Sequence, residues 1–168
     1  MTLTLHSFAA RVREVLQDDD TTAGRARVAA LLRDALADRQ FVESLFGDAA
    51  PERKVVYEDP QLGFCILAHR YTDAREGGPH DHGPSWAIYG QADGVTGMTD
   101  WVPAGAVSPD GRAMVKKVRE YQLTPGVAHL YNEGEIHAPS RQGPSRLVRI
   151  EGVNLERVRR EQYEPVRG

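Results

Sequence analysis

The residues best equipped for chemistry in this chain are histidines. Two stand in the string Gly77-Gly78-Pro79-His80-Asp81-His82-Gly83-Pro84-Ser85-Trp86, and a third, His137, follows Asn132-Glu133-Gly134-Glu135-Ile136. In an extended segment, side chains two apart leave the same face, so His80 and His82 can converge on one ion while Asp81 faces away. A His-x-His string alone describes two solvated loop histidines equally well. The flanking glycines and prolines favour a metal, because fixing so permissive a loop costs backbone entropy that ligation would offset. His137, in a turn-like setting that leads into a strand on the opposite side of a small barrel, completes a three-histidine set. Either Glu133 or Glu135 can swing in as a fourth ligand.

Other chemistries lack their signatures. There is no glycine-rich phosphate loop, no Ser-His-Asp arrangement and no Cys-x-x-Cys pair. The single cysteine, Cys65 in the apolar run Phe64-Cys65-Ile66-Leu67, reads as a small buried residue with no internal disulfide partner. With 24 Asp plus Glu against 21 Lys plus Arg, the net charge of -3 excludes a basic nucleic-acid-binding chain. Mean hydropathy is -0.49, and no apolar run approaches the roughly 18 residues of a membrane span. The opening Met1-to-Leu16 stretch reads as an amphipathic helix, not a secretory signal. A soluble, cytoplasmic protein is expected, without nucleic-acid or membrane partners.

The elements that must position the histidines change character near residue 50. Residues 1–46 show apolar positions at helical spacing, which predicts two helices. The first carries Leu5, Phe8, Val12, Val15 and Leu16 on one stripe with Ser7 as its N-cap. The second runs from about Thr22 to Phe46, capped by Thr21 or Thr22 and stopped by Gly47. From Lys54 onward, short apolar runs alternate with Gly, Pro, Asp and Asn, the punctuation of a mainly β domain. Strands are expected over Lys54–Tyr57, Gly63–Tyr71, Ser85–Gln91, Thr96–Val102, Ala113–Leu123, Val127–Asn132 and Arg146–Val153. Seven or eight such strands make a closed sandwich or barrel. The organisation is then a helical segment over 1–50 packed on the barrel, a barrel over 51–155, and a charged tail over 156–168 with a short helix and a frayed end.

These strings resemble the cupin superfamily. His80 and His82 match its His-x-His, Gly94 stands where the closing glycine of that motif belongs, and Gly134 with His137 matches the Gly-x-x-His of the second motif. Ala87 occupies the usual glutamate position, Asn132 the usual proline and Arg141 the usual asparagine. The resemblance spans roughly residues 54 to 153 and implies a jelly-roll-like double-stranded β-helix preceded by two helices. The missing carboxylate is similar to the three-histidine branch, which includes cysteine dioxygenase and other thiol dioxygenases. That likeness implies iron(II), dioxygen as co-substrate, and a small bidentate anion, a thiolate or an enolate. Two departures stand out: Ala87 excludes the thioether crosslink of the animal enzymes, and Arg149 lies near where the resemblance implies a further, non-ligating histidine beside the metal site.

Three neutral imidazoles leave a divalent ion its full charge, so anionic substrates are favoured. Imidazole affinity does not discriminate among metals, and zinc, nickel or manganese would serve a Lewis-acid isomerase or lyase instead. A non-catalytic ligand-binding barrel is the third reading. Strand parity places Tyr89 and Gln91 on the side of Ala87, with Tyr89 and Tyr131 as candidate catalytic hydroxyls. Arg70 and Arg149 are candidates for a substrate carboxylate, His129 for the pocket, and Trp86 for a core filler or the pocket wall against substrate. His6 and His69 read as structural or exposed. Exposed strand edges and the N-terminal helices make a homodimer the expected assembly.

Overall fold

The computed structural model describes residues 2–48 and 50–167. Three helices come first: α1 over Leu5–Asp18, α2 over Thr22–Leu36 and α3 over Arg39–Phe46. The expected second helix is thus two, and the break has a local cause. Asp38 leaves the helical region at φ -86°, ψ 96°, and its carboxylate accepts the Phe41 N–H at 3.0 Å, which starts a new helix. The kink turns Phe41, Val42, Leu45 and Phe46 onto the same core as α1 and α2. The cap of α1 is also one turn earlier than expected. Thr4 is the N-cap, and Ser7 closes the reciprocal half of a capping box. Thr21 caps α2, and Gly47, at φ 62°, ends α3.

Two five-stranded sheets follow. The first is built, in spatial order, from β1 (Arg53–Glu58), β2 (Cys65–Tyr71), β9 (Ser145–Glu151), β4 (Ala87–Asp93) and β7 (Ala128–Tyr131). The second is β10 (Glu164–Pro165), β6 (Ala113–Leu123), β5 (Thr96–Val107), β8 (Ile136–Arg141) and β3 (Arg75–Glu76). Together they form a jelly-roll-like double-stranded β-helix. Strand β8 is the strand into which His137 is expected to lead; Pro139 inside it hides its extent from the apolar pattern. The tail also differs from expectation. A 3-10 turn over Leu155–Arg157 is capped by Asn154, and β10 then pairs in parallel with β6, so this segment is tied down, not frayed.

The first sheet is covered on both faces, which explains the unbroken apolar run before His69. Ile66 and Ala68 of β2, Ile88 of β4 and Val148 and Ile150 of β9 face the helices. Ala87, Tyr89, Leu147, Met98, Leu123 and Tyr131 fill the space between the sheets. Helix α2 lies so close to the sheet that a Cβ on Gly90 would come within 2.7 Å of Leu32 Cδ2 and 3.0 Å of the Val148 carbonyl oxygen. Helix α1 is fastened by a polar clasp: Arg13 Nε lies 2.6 Å from Asp59 Oδ2, and Asp59 Oδ1 accepts the N–H groups of Gln61 and Leu62. Burial alone would raise the Asp59 pKa, but these donors and Tyr57 outweigh it and hold the carboxyl below its usual range.

Leu32 is fully buried between α2 and the sheet, so Leu32→Ala should cost about 2–5 kcal/mol in urea unfolding. Asp59 has a lowered folded pKa, so its stabilisation is complete above the ordinary aspartate value of about 3.9 and is lost as the pH falls through the folded value. Asp59→Asn should therefore be less stable than wild type at pH 7, with the two curves converging in acid.

Candidate metal centre

The centre is assembled by backbone pairing before any side chain is considered. His80 lies in the loop ahead of β4, and His137 is the second residue of β8. The His80 N–H donates to the His137 carbonyl at 3.0 Å and the His137 N–H donates to the His80 carbonyl at 3.0 Å, a reciprocal antiparallel pair. The three rings then crowd together, with centroids 4.7 Å apart for His80 and His137 and 4.6 Å apart for His82 and His137. One nitrogen from each lies within 4.8 Å of the others. Nitrogens at about 2.1 Å from one ion stand no more than about 4.2 Å apart, so a small inward turn of the rings brings all three onto one ion.

Hydrogen bonds to main-chain carbonyls set the tautomers. His80 Nδ1 is 2.9 Å from the Gly78 carbonyl oxygen and His137 Nδ1 is 3.0 Å from that of Glu135. A carbonyl only accepts, so each Nδ1 carries the proton and each Nε2 presents a lone pair. His82 differs: its Nδ1 is buried without a partner, and its Nε2 lies 2.9 Å from Tyr89 Oη. Burial pushes all three imidazoles below their usual pKa, His82 and His137 strongly so, and neighbouring arginines add to the effect. Buried, uncharged imidazoles with lone pairs turned inward are what a divalent ion takes as ligands, and the residues present fit one.

Asp81 faces away from the rings, and there it holds the loop. Its Oδ1 accepts the Gly83 N–H at 3.0 Å and the Glu161 N–H at 3.3 Å, and its Oδ2 accepts the Tyr163 hydroxyl at 2.8 Å. The Tyr163 N–H also donates to the Pro79 carbonyl at 3.1 Å. Gly83 has φ 59°, and a Cβ there would come 2.6 Å from the Arg159 carbonyl oxygen, so the loop and the tail fit only around a glycine. The charged tail thus straps down the segment that carries two of the three histidines.

The other candidate residues separate into neighbours and outsiders. Tyr89 Oη is 3.3 Å from His137 Nε2 and accepts from Arg149 NH2 at 3.0 Å, which brings Arg149 to the centre. Tyr131 stacks on His137 with centroids 4.0 Å apart, but its hydroxyl bonds to Tyr121 at 2.7 Å. His129 stacks on Tyr121 and borders a hollow of about 470 Å3 shared with Tyr131, Asp100 and Arg119. Gln91 is inside the barrel beyond Tyr89, donating to the Asp93 carbonyl at 2.9 Å. Trp86 lies outside the barrel in the helix-facing core, with Arg25 over its ring, and so walls no pocket between the sheets. Arg70 shares the outward parity of Ile66 and Ala68 and donates to the Asp48 carbonyl, so it does not meet the histidines. Glu133 pairs with Arg25 and Glu135 accepts the Asn132 N–H, and neither belongs to the donor group. His69, read as structural or exposed, is buried beside Arg149 and Tyr71. Its parity with Leu67 was the available signal. Tyr163 carried none, because nothing local links it to Asp81.

No protein-family model matches the chain, and no curated protein matches it in sequence. Some solved structures are similar to part of it. A cupin superfamily protein from Desulfitobacterium hafniense DCB-2 is 12% identical over 64% of this chain and 84% of its own, with a TM-score of 0.44. An uncharacterized conserved protein with a double-stranded β-helix domain from Klebsiella pneumoniae is 14% identical over 73% and 88%, with a TM-score of 0.48. The DMSP lyase DddQ from Ruegeria pomeroyi DSS-3 is 11% identical over 66% and 50%, with a TM-score of 0.45. The chain's own two-sheet topology is a double-stranded β-helix, and it carries a three-histidine group able to hold a divalent metal. Among the described residues, no helix is long and apolar enough to cross a membrane.

His82→Ala in untagged protein should lose most bound metal by elemental analysis, whereas exposed His6→Ala should keep it; equal occupancy would remove the proposed centre. Tyr163→Phe deletes one hydrogen bond of the strap, about 1 kcal/mol, and should weaken metal affinity about fivefold with the fold intact by circular dichroism.

Proposed function

We propose that the protein is a mononuclear non-haem iron dioxygenase that acts on a small anionic molecule, a thiol or an enolate. The observation that carries this reading is a ligand group of three neutral imidazoles with no carboxylate in it. Such a group leaves a divalent ion its full charge, which draws in an anion. Iron(II), when bound there, supplies open coordination positions for a bidentate anion and dioxygen together.

The chain's own residues shape what enters. His82 and His137 are fully buried and Tyr89 nearly so, while His80 is partly exposed at a surface hollow of about 440 Å3, so the group meets solvent on the His80 side alone among these residues. Because Tyr89 Oη accepts from Arg149, its own proton points away from the guanidinium and toward the histidine side. Burial raises the Tyr89 pKa, so it stays a phenol and a hydrogen-bond donor. With the imidazole nitrogens engaged as ligands, that O–H is free to donate to a bound anion or to oxygen. Tyr131 supports the His137 ring from behind and belongs to a hydroxyl chain running through Tyr121 to Asp100.

The test is elemental analysis of untagged protein expressed with iron supplied, followed by an oxygen-electrode screen of small thiols and diketones. About one iron per chain with substrate-dependent oxygen uptake is expected. Stoichiometric zinc, nickel or manganese without oxygen uptake would replace this reading with Lewis-acid isomerase or lyase chemistry, and a metal-free protein with a ligand-binding barrel. Tyr89→Phe should lower kcat about a hundredfold at unchanged iron content.

A further inference from the structure

Besides His82 Nδ1, five buried polar side-chain atoms have no hydrogen-bond partner among the described residues: Gln91 Oε1, Thr96 Oγ1, Arg141 Nε, Ser145 Oγ and Arg149 Nε. Buried polar atoms are as a rule paired, so a cluster of orphans calls for an absent partner. All five belong to residues with interior parity on the sheets. Four of them lie toward one end of the barrel, and Arg149, level with Tyr89, lies between that end and the histidines. Ser145 stands opposite Tyr71 in the β2–β9 ladder, and one step beyond the Gly97–Ser140 pairing Thr96 comes level with Arg141.

The charges at this end do not balance. Arg141 is 5% exposed, lies with Cζ 3.9 Å from the Tyr71 ring centroid, and is in no ion pair among the described residues. Arg149 lies with Cζ 4.2 Å from the Tyr89 ring centroid, and its NH1 is 3.5 Å from His69 Nε2. His69 in turn reaches Tyr71 Oη at 3.2 Å, so an aromatic pair links the two guanidiniums. The one carboxylate nearby, Glu151, is 3.4 Å from Arg149 but also holds Arg53 at 3.2 Å and the Leu155 N–H at 3.1 Å. His69, kept neutral by burial and by these arginines, adds no counter-charge. Arg141 thus has no ion-pair partner among the described residues and Arg149 shares Glu151 with Arg53, so the two guanidiniums are poorly compensated, and a bound anion relieves the deficit. Tyr71 and Ser145 also border a surface hollow of about 460 Å3, so the orphaned end of the barrel lies close to the surface.

We propose that Arg141 and Arg149, with the hydroxyls of Thr96 and Ser145, form an oxyanion subsite that holds the carboxylate, sulfonate or phosphate end of the substrate. Guanidinium donors bind such groups bidentately, and the two hydroxyls add donors at the same level of the barrel. Gln91 Oε1, an acceptor, suits a hydroxyl or amino group on the same molecule. Arg141 lies four residues beyond His137 on the same face of β8, so Arg149, already bonded to Tyr89, stands between the subsite and the histidines. That the other end of the molecule meets the histidines rests on the function proposed above. The anion subsite itself does not.

The experiment uses metal-free full-length protein and follows melting temperature at constant ionic strength, with chloride replaced by acetate, methanesulfonate or inorganic phosphate. At least one anion should stabilise wild type saturably, and its identity tells carboxylate from sulfonate from phosphate. Arg141→Gln should weaken that response at least tenfold and Arg141→Lys less, while outward-facing Arg70→Gln should leave it unchanged. Without anion, Arg141→Gln should melt no lower than wild type, since it removes an uncompensated cation; a purely structural arginine would lower the melting temperature and leave the anion response as it was. No saturable response to any of the three anions, or an equal response in Arg141→Gln, overturns the subsite. His82→Ala should keep the anion response while losing metal, so failure of the iron reading and failure of the subsite give different results.

Discussion

The site depends on one reciprocal backbone pair, His80 with His137. These residues are far apart in the chain, and two N–H to carbonyl bonds of 3.0 Å place them side by side. Main-chain pairing fixes where the Cβ atoms point, so ring convergence follows from register and not from chance collapse of loops. A slip of one residue on either segment would turn one histidine out of the barrel. The same register sends the Nδ1 atoms of His80 and His137 to carbonyls two residues back, leaving both Nε2 atoms as ligands.

A loop rich in glycine and proline is a poor platform for ligands unless something restrains it, and here the restraint comes from the far end of the chain. Asp81 gathers the Gly83 and Glu161 N–H groups and the Tyr163 hydroxyl. Strand β10 is itself anchored to β6. The residue between the two ligands is therefore their brace, a division of labour that alternation along an extended segment makes possible. The helices play a comparable part on the other side, closing the outer face of the first sheet so that its inner face can afford polar groups.

Those polar groups give the barrel interior two different electrostatic regions. Around the histidines, burial and neighbouring arginines keep the imidazoles uncharged and leave lone pairs for an ion. Beyond Tyr89 the interior is cationic, with Arg149 and Arg141 packed on aromatic rings, Glu151 opposing Arg149, and no ion pair to Arg141 among the described residues. Tyr89 joins the two regions, touching two histidines through one hydroxyl while accepting from Arg149. In the two proposals above, a small anion is assigned to both ends of this interior, by different groups.

Much of this was legible in the residues. Helical spacing and caps, period-two strands and a His-x-His string are local signals, and each is set by interactions within a few residues. They were enough to mark the helical segment, most of the strands and three candidate ligands. Where local signals conflicted with tertiary pairing they misled: Pro139 hid the extent of β8, Asp38 split a helix that looked continuous, and the tail looked free. Parity along a strand also says which residues share a face without saying what covers that face, which is why Trp86 and Arg70 looked like pocket residues and His69 did not. Only the tertiary structure decided that Asp81 is held by Tyr163, that Arg149 meets Tyr89, and that Arg141 is buried without a carboxylate. Those facts depend on contacts between segments distant in sequence, which no local pattern encodes.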